Sequence, residues 1–220
     1  MKKCLVLLVL PLLAWPVLAK VSFGDAKAAR NLVEVSRLDP SLRLDVRYAT
    51  SQNFMGRVLY PQARVFLIRP AAQAVVRVQK KLRAQNLGLV LFDGYRPWSI
   101  TQQMWDQTPP GKKQYVADPA KGSRHNRGCA ADLTLQNLTS GEALEMPTEY
   151  DDFTDKAHAE AVANPTATHN RALLRQAMES EGFRIYPYEW WHYDYQGWEK
   201  FPLLNFSFVE LDGLFKRLEK

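Results

Sequence analysis

Five side chains stand out for the chemistry they could do together. His125 and Asp132 lie seven residues apart in "GSRHNRGCAADLTL", residues 122–135, with Gly128 between them to let the chain turn. Far downstream, "EWWH" puts Glu189 three residues before His192. Two histidines and one carboxylate suffice to fix a catalytic zinc and leave a fourth position for water. A glutamate beside the second histidine could then take a proton from that water. Arg96, in "DGYRP", precedes a proline that restricts its backbone. Pointed into a cleft, its fixed charge would steady a developing oxyanion; paired with Asp93, it would be an ordinary loop ion pair. Spacing alone does not choose, because a histidine and an aspartate seven apart arise often by chance and E-x-x-H has two free positions.

The elements that carry these residues impose conditions. Glu189 and His192 are an odd number of residues apart, so in a regular strand they would face opposite ways. A bulge or a helical turn must bring them to one side, and bulges are common beside active sites. No H-E-x-x-H helix occurs, which excludes an ordinary zincin arrangement. The other two histidines, His158 in "DKAHAE" and His169 in "TATHNR", have polar, helix-like surroundings and read as surface residues.

Around Leu42, Leu44 and Val46 a short alternation suits a strand reached through a turn at Asp39-Pro40. From Pro70 to Gln85 the apolar residues Ala74, Val75, Val78 and Leu82 share one side, with Gly88 past the end: a helix. Leu89 to Phe92 reads as a buried strand that ends at the arginine turn, and Trp98 to Trp105 as a short helix. The segment from Thr108 to Gly122 is proline- and glycine-rich loop. A short strand over Asp132 to Leu135 puts Asp132 and Thr134 on one face, Leu133 and Leu135 on the other. A second helix spans Thr168 to Gly182, with Leu173, Leu174, Ala177 and Met178 as its apolar stripe. "FRIYPYEWWHYDY" is β-prone. These elements predict an α+β single domain with a small, mainly antiparallel sheet flanked by helices.

At the N-terminus, "MKKCLVLLVLPLLAWPVLAK" has two lysines, an apolar run and then Ala19, the order of a secretory signal peptide. Residues 1–19 are therefore expected to be removed, leaving a catalytic domain over 20–220. The competing reading, a retained anchor, would need a segment that barely spans a bilayer. Loss of Lys2 and Lys3 lowers the formal charge from +6 to +4. The basic residues are scattered among acids, so no patch suits a nucleic acid, and no stable membrane insertion is expected after cleavage. Cys4 leaves with the leader, so Cys129 has no partner for a disulfide.

Ser123, His125, Gly128, Ala130 and Asp132 reproduce an S-x-H-x-x-G-x-A-x-D pattern, and Glu189, Trp190 and His192 stand in the E-x-W-H pattern that accompanies it. Together these motifs resemble the zinc D-alanyl-D-alanine dipeptidase family, related to the vancomycin-resistance dipeptidase. "DGYRP", "DVRYATSQNF" and "MPTEYDDF" are similar to further family segments, in the same order, so that the likeness runs from about Leu38 to about Trp198. The resemblance implies one zinc ion per chain, held by His125, Asp132 and His192, with Glu189 activating water. It implies that Arg96 stabilises the tetrahedral intermediate, that Tyr48 and Asp151 lie near the substrate's amino group, and that Ser123 lies near its carboxylate. The chain departs from the pattern at Pro147, where the family often has glycine. A small D,D-dipeptide is the implied partner and the periplasm of a two-membrane bacterium the implied location; oligomeric state is not legible. Two competitors stay open. One is a D,D-carboxypeptidase acting on peptidoglycan stems; the other is a non-catalytic envelope domain in which Cys129 completes a structural zinc site.

Overall fold

The computed structural model of the chain describes residues 21–217. The expected signal peptide and its cleavage after Ala19 lie outside the described residues. Among the described residues, no helix is long and apolar enough to cross a membrane.

The first elements are short: helix α1 (Ala26–Ala29), capped by the Asp25 carboxylate, strand β1 (Leu32–Glu34) and helix α2 (Val35–Leu38). The expected turn follows, with Asp39 accepting the backbone N–H and the hydroxyl of Ser41, and it delivers β2, which is only Arg43–Leu44. Tyr48 sits in a single 3₁₀ turn just beyond it, over Arg47–Ala49. Strand β3 (Phe66–Ile68) runs directly into α3 (Arg69–Arg83). Ala74, Val75, Val78 and Leu82 are buried on α3, as their period requires. Its stop differs from expectation. Asn86, at φ 58°, turns the chain, and Gly88 belongs to the following strand β4 (Leu87–Asp93).

Helix α4 (Trp98–Gln107) and a loop with two 3₁₀ segments lead to β5 (Ala130–Asn137), longer than its sequence pattern suggested. Helix α5 spans Pro165–Glu179 and starts earlier than its apolar stripe, because Asn164 caps it by accepting from the Ala167 N–H and Pro165 suits its first turn. The aromatic segment forms the hairpin of β6 (Phe183–Tyr186) and β7 (Glu189–Tyr195). Helix α6 (Phe208–Lys216) closes the chain with a capping box at Ser207 and Glu210.

The main sheet has the order β2-β4-β5-β7-β6, with β2 and β4 parallel and the other three pairings antiparallel; β1 and β3 make a separate antiparallel pair. Helices α3 and α5 pack on the sheet and on each other. This is the expected α+β domain, with the two-stranded sheet as an addition. Leu133 and Leu135 lie in the hydrophobic core while Asp132, alternating with them, faces the other way.

Two irregularities interrupt the main sheet. Between β4 and β5 the register shifts so that Phe92 is unmatched and Asp93 stands opposite Asp132. Between β6 and β7 it jumps from Ile185↔Tyr193 to Tyr186↔Glu189, leaving Trp190, Trp191 and His192 without β6 partners.

Candidate active site

All eight residues singled out in the sequence line one cleft of about 280 Å³. That is near the lower end of the roughly 300–1,000 Å³ usual for small-molecule sites. Asp132 on β5 and His192 on β7 are directly paired across the sheet. His125 arrives from a 3₁₀ turn, His125–Arg127, that ends at Gly128. Gly128 has φ 66°, and a Cβ there would stand 2.4 Å from Leu32 Cδ2, so the turn demands glycine. The irregular stretch of β7 solves the odd spacing: Glu189 Oε2 lies 3.5 Å from His192 Nδ1.

At the centre, His125 Nε2, His192 Nδ1 and an Asp132 oxygen converge. The two nitrogens are 3.1 Å apart, and Asp132 Oδ1 is 3.4 Å from the first and 3.0 Å from the second. Ligands on a tetrahedron with bonds of about 2.0 Å would be about 3.3 Å apart. The outer nitrogens are already engaged: His125 Nδ1 meets the Gly94 carbonyl at 2.7 Å, and His192 Nε2 meets Asp194 Oδ1 at 2.9 Å. Donating outward, both rings turn bare lone pairs inward, the arrangement that metal-binding histidines adopt. Asp132 Oδ1 is buried without a hydrogen-bond partner among the described residues. Two lone pairs and an unpartnered carboxylate oxygen facing one another call for a cation, so the residues fit a divalent metal.

Without a metal, the same carboxylates draw a proton to the site, which a bound cation would replace. Burial opposes a charge on His192, but Asp194 and Asp132 outweigh it and raise its pKa well above the ordinary value. Burial likewise opposes the Asp132 carboxylate, yet His125 and His192 hold it well below the usual range. Burial pushes the Glu189 carboxyl up to about 7 against the pull of His192, with Asp132 adding to the rise. A carboxyl near neutrality is well matched to exchanging protons.

Arg96 forms the loop ion pair and also lines the cleft. Its Nε and Nη2 donate to Asp93 Oδ2 at 3.0 and 2.7 Å, a buried ion pair, and its guanidinium lies over the Tyr48 ring within the cleft. Tyr60 also donates to Asp93, at 2.9 Å. Tyr48 donates to Asp151 Oδ1 at 3.0 Å. The other oxygen, Asp151 Oδ2, is buried without a partner among the described residues. Burial, reinforced by Asp132, raises the Asp151 carboxyl well above its usual range. Asp151 also has φ 62°, an uncommon backbone for a residue with a side chain. Ser123 is buried at the cleft wall, where its Oγ accepts the His125 N–H at 3.2 Å.

Cys129 does not join the group. The His125, Asp132 and His192 atoms form the metal-type cluster among the described residues, and the Cys129 thiol instead reaches the Arg127 carbonyl at 3.4 Å. It is fully buried, and burial pushes it up to about 12, so it remains a thiol. His158 and His169 are outside the cleft; His169 is exposed, and His158 pairs with Asp155.

Several supporting residues carried no clear mark in the sequence. Tyr150 donates to Asp132 Oδ2 at 2.9 Å, from the residue adjacent to Asp151. Asp194 was findable, because it is two positions from His192 on one strand and so shares its face. Asn126 had no signal beyond its type. Its buried amide accepts from the Ser123 N–H and donates to the Arg96 carbonyl and to Thr101 Oγ1. One side chain thus locks the histidine turn to the arginine turn.

A His–Asp–His group drawn from a turn and two paired strands, with a carboxylate beside it, defines a metallopeptidase type of site. The family model described as D-ala-D-ala dipeptidase matches residues 28–209, and the chain belongs to that family. It is 34% identical over 178 residues to a D-alanyl-D-alanine dipeptidase of Escherichia coli, covering 80% of this chain and 91% of that one. It is 34% identical over 188 residues to one of Enterococcus faecalis, covering 76% and 92%. A solved D,D-dipeptidase, VanXYg in complex with a D-Ala-D-Ala phosphinate analog, covers 71% of this chain and 61% of that one at 21% identity and TM-score 0.40, too loose to bear on the chemistry.

Proposed function

We propose that this enzyme is an exported zinc dipeptidase that hydrolyses D-Ala-D-Ala to two D-alanines. The observation that supports this most is the convergence of His125, Asp132 and His192 with Glu189 beside them. These three residues would hold one zinc ion, which when bound supplies a Lewis acid for the scissile carbonyl and makes a water acidic. Glu189, beside His192, is placed to accept a proton from an attacking water and would return it to the departing amine. Arg96, held rigid by Asp93, places fixed positive charge where the carbonyl oxygen gains negative charge. Asp151, with one oxygen committed to Tyr48 and the other unpartnered, receives the substrate ammonium. A peptide whose amine is acylated would leave that oxygen buried and unpaired, so the free dipeptide is preferred. Export rests on the leader sequence and implies recovery of wall-derived dipeptide.

One observation favours a second reading, a D,D-carboxypeptidase. A cavity of about 390 Å³, lined by Met55, Pro109 and Lys112 among others, shares Phe54, Asp151 and Phe153 with the main cleft and offers room for an N-terminal extension. The test compares free D-Ala-D-Ala with its N-acetyl form, using protein that starts at Lys20. Preference for the acylated substrate would decide for the carboxypeptidase. Activity that survives rigorous chelation would end the metal mechanism. Expression of the full chain in a two-membrane bacterium and N-terminal sequencing of the mature protein tests export, with Lys20 expected as first residue.

A further inference from the structure

A dipeptide carries an anion as well as a cation, and the anion needs a partner of fixed charge. Arg96 is committed to Asp93. Lys121 lines the cleft, but 85% of its side chain is exposed, so it is a solvated charge. Arg124 is different. It lines the cleft between Ser123 and His125, and its guanidinium rests on the Trp198 ring with Cζ 4.6 Å from the centroid. Its contact with Asp194 is 3.5 Å, too long for a hydrogen bond, and its Nε is buried without a hydrogen-bond partner among the described residues. The side chain is 40% exposed, less than half the exposure of Lys121, and an aromatic shelf that orients a planar, permanently charged fork with a buried, unpartnered Nε suits a carboxylate.

Position supports the same conclusion. Asp151 is fastened by Tyr48, in the turn that follows β2, whereas Arg124 lies 3.5 Å from Asp194 on β7 and over the Trp198 ring beyond it. Both line the cleft that holds the candidate metal group, and they are reached from different elements. A zwitterionic dipeptide laid across that group meets an anion at one end and a cation at the other.

We propose that Arg124 binds the C-terminal carboxylate of the substrate and makes that carboxylate a requirement for recognition. The proposal rests on the reading that a D,D-peptide terminus occupies this cleft, and it holds for a dipeptidase or a carboxypeptidase alike. The test measures binding by calorimetry and turnover of D-Ala-D-Ala against D-Ala-D-alaninamide, in the unaltered zinc-loaded protein, in Arg124→Met and in Arg124→Lys. The unaltered protein is expected to prefer the acid, and Arg124→Met to lose about 10- to 100-fold of that preference, the range for a hydrogen bond to a charged group. The loss should appear in KM and not in kcat, and Arg124→Lys should recover part of it. Equal preference for acid and amide in the unaltered protein overturns the proposal. So does an Arg124→Met variant that weakens acid and amide equally, since that marks a structural role exerted through Asp194 and His192. Acid preference in binding without any turnover would instead sink the proposed function and leave the role of Arg124 standing.

Discussion

Glu189 and Asp151 are both carboxyls whose burial raises their pKa, but they differ in what each should do when neutralised. Replacing Glu189 with Gln removes the proton acceptor without touching the three residues proposed to hold zinc. Zinc stoichiometry measured by dialysis should stay at one per chain while kcat falls about 10²- to 10⁴-fold; loss of zinc would move Glu189 into the metal-binding set. For Asp151 the informative quantity is stability. Its folded pKa lies above that of the unfolded chain, so the native state holds a proton that the unfolded state has released. Stability of the metal-free protein must then fall as pH rises from about 4 to the raised folded value. Asp151→Asn removes that penalty, so denaturation midpoints should show the variant gaining on the parent as pH rises, and converging below about pH 4. Its KM for D-Ala-D-Ala should rise at the same time. A variant less stable at neutral pH would contradict the picture of a buried, unpartnered carboxyl that gives up its proton to meet a substrate cation. Asp194 supplies the third test at this scale: Asp194→Ala frees the outer nitrogen of His192 and should weaken zinc binding about 10- to 100-fold, read by competition with a chelator.

Among the elements, the turn at Gly128 is the most exposed to a small change. Gly128→Ala must tolerate φ 66° and a methyl 2.4 Å from Leu32. A cost of about 2–4 kcal/mol is expected, lowering Tm on the order of 10 °C. This turn was legible because glycine is the residue such a backbone requires, and the distortion of β7 was legible because Glu189 and His192 could meet in no regular strand. Helices α3 and α5 were legible from their apolar period, but not where they begin and end. Asn86 and Asn164 act there through backbone conformation and capping, which a hydrophobic stripe does not register. The pairing of β1 with β3, and the shift that brings Asp93 opposite Asp132, depend on partners distant in the chain and left no local mark. The same holds for Asn126 and Tyr150. Their importance comes from what the fold places around them.

The whole molecule draws its site from Tyr48 to His192, so the site exists only once the sheet is complete. Zinc that binds the native but not the unfolded chain should therefore stabilise it globally, by about 4 kcal/mol at a free concentration a thousandfold above Kd. Chelation should lower Tm measurably, and added zinc should restore it; a Tm indifferent to zinc would mean the metal is not bound by the folded site. The pairing of β5 with β7 adds a last consequence. It is three residues long, and its final pair is Asp132 with His192. A slip of β7 by one position would set Trp191 or Tyr193 against Asp132, and neither can bind zinc. A ladder that short has little of its own to reject the wrong alignment, so an ion bound by the proposed ligands would act as its proofreader, holding only chains whose strands have met in register.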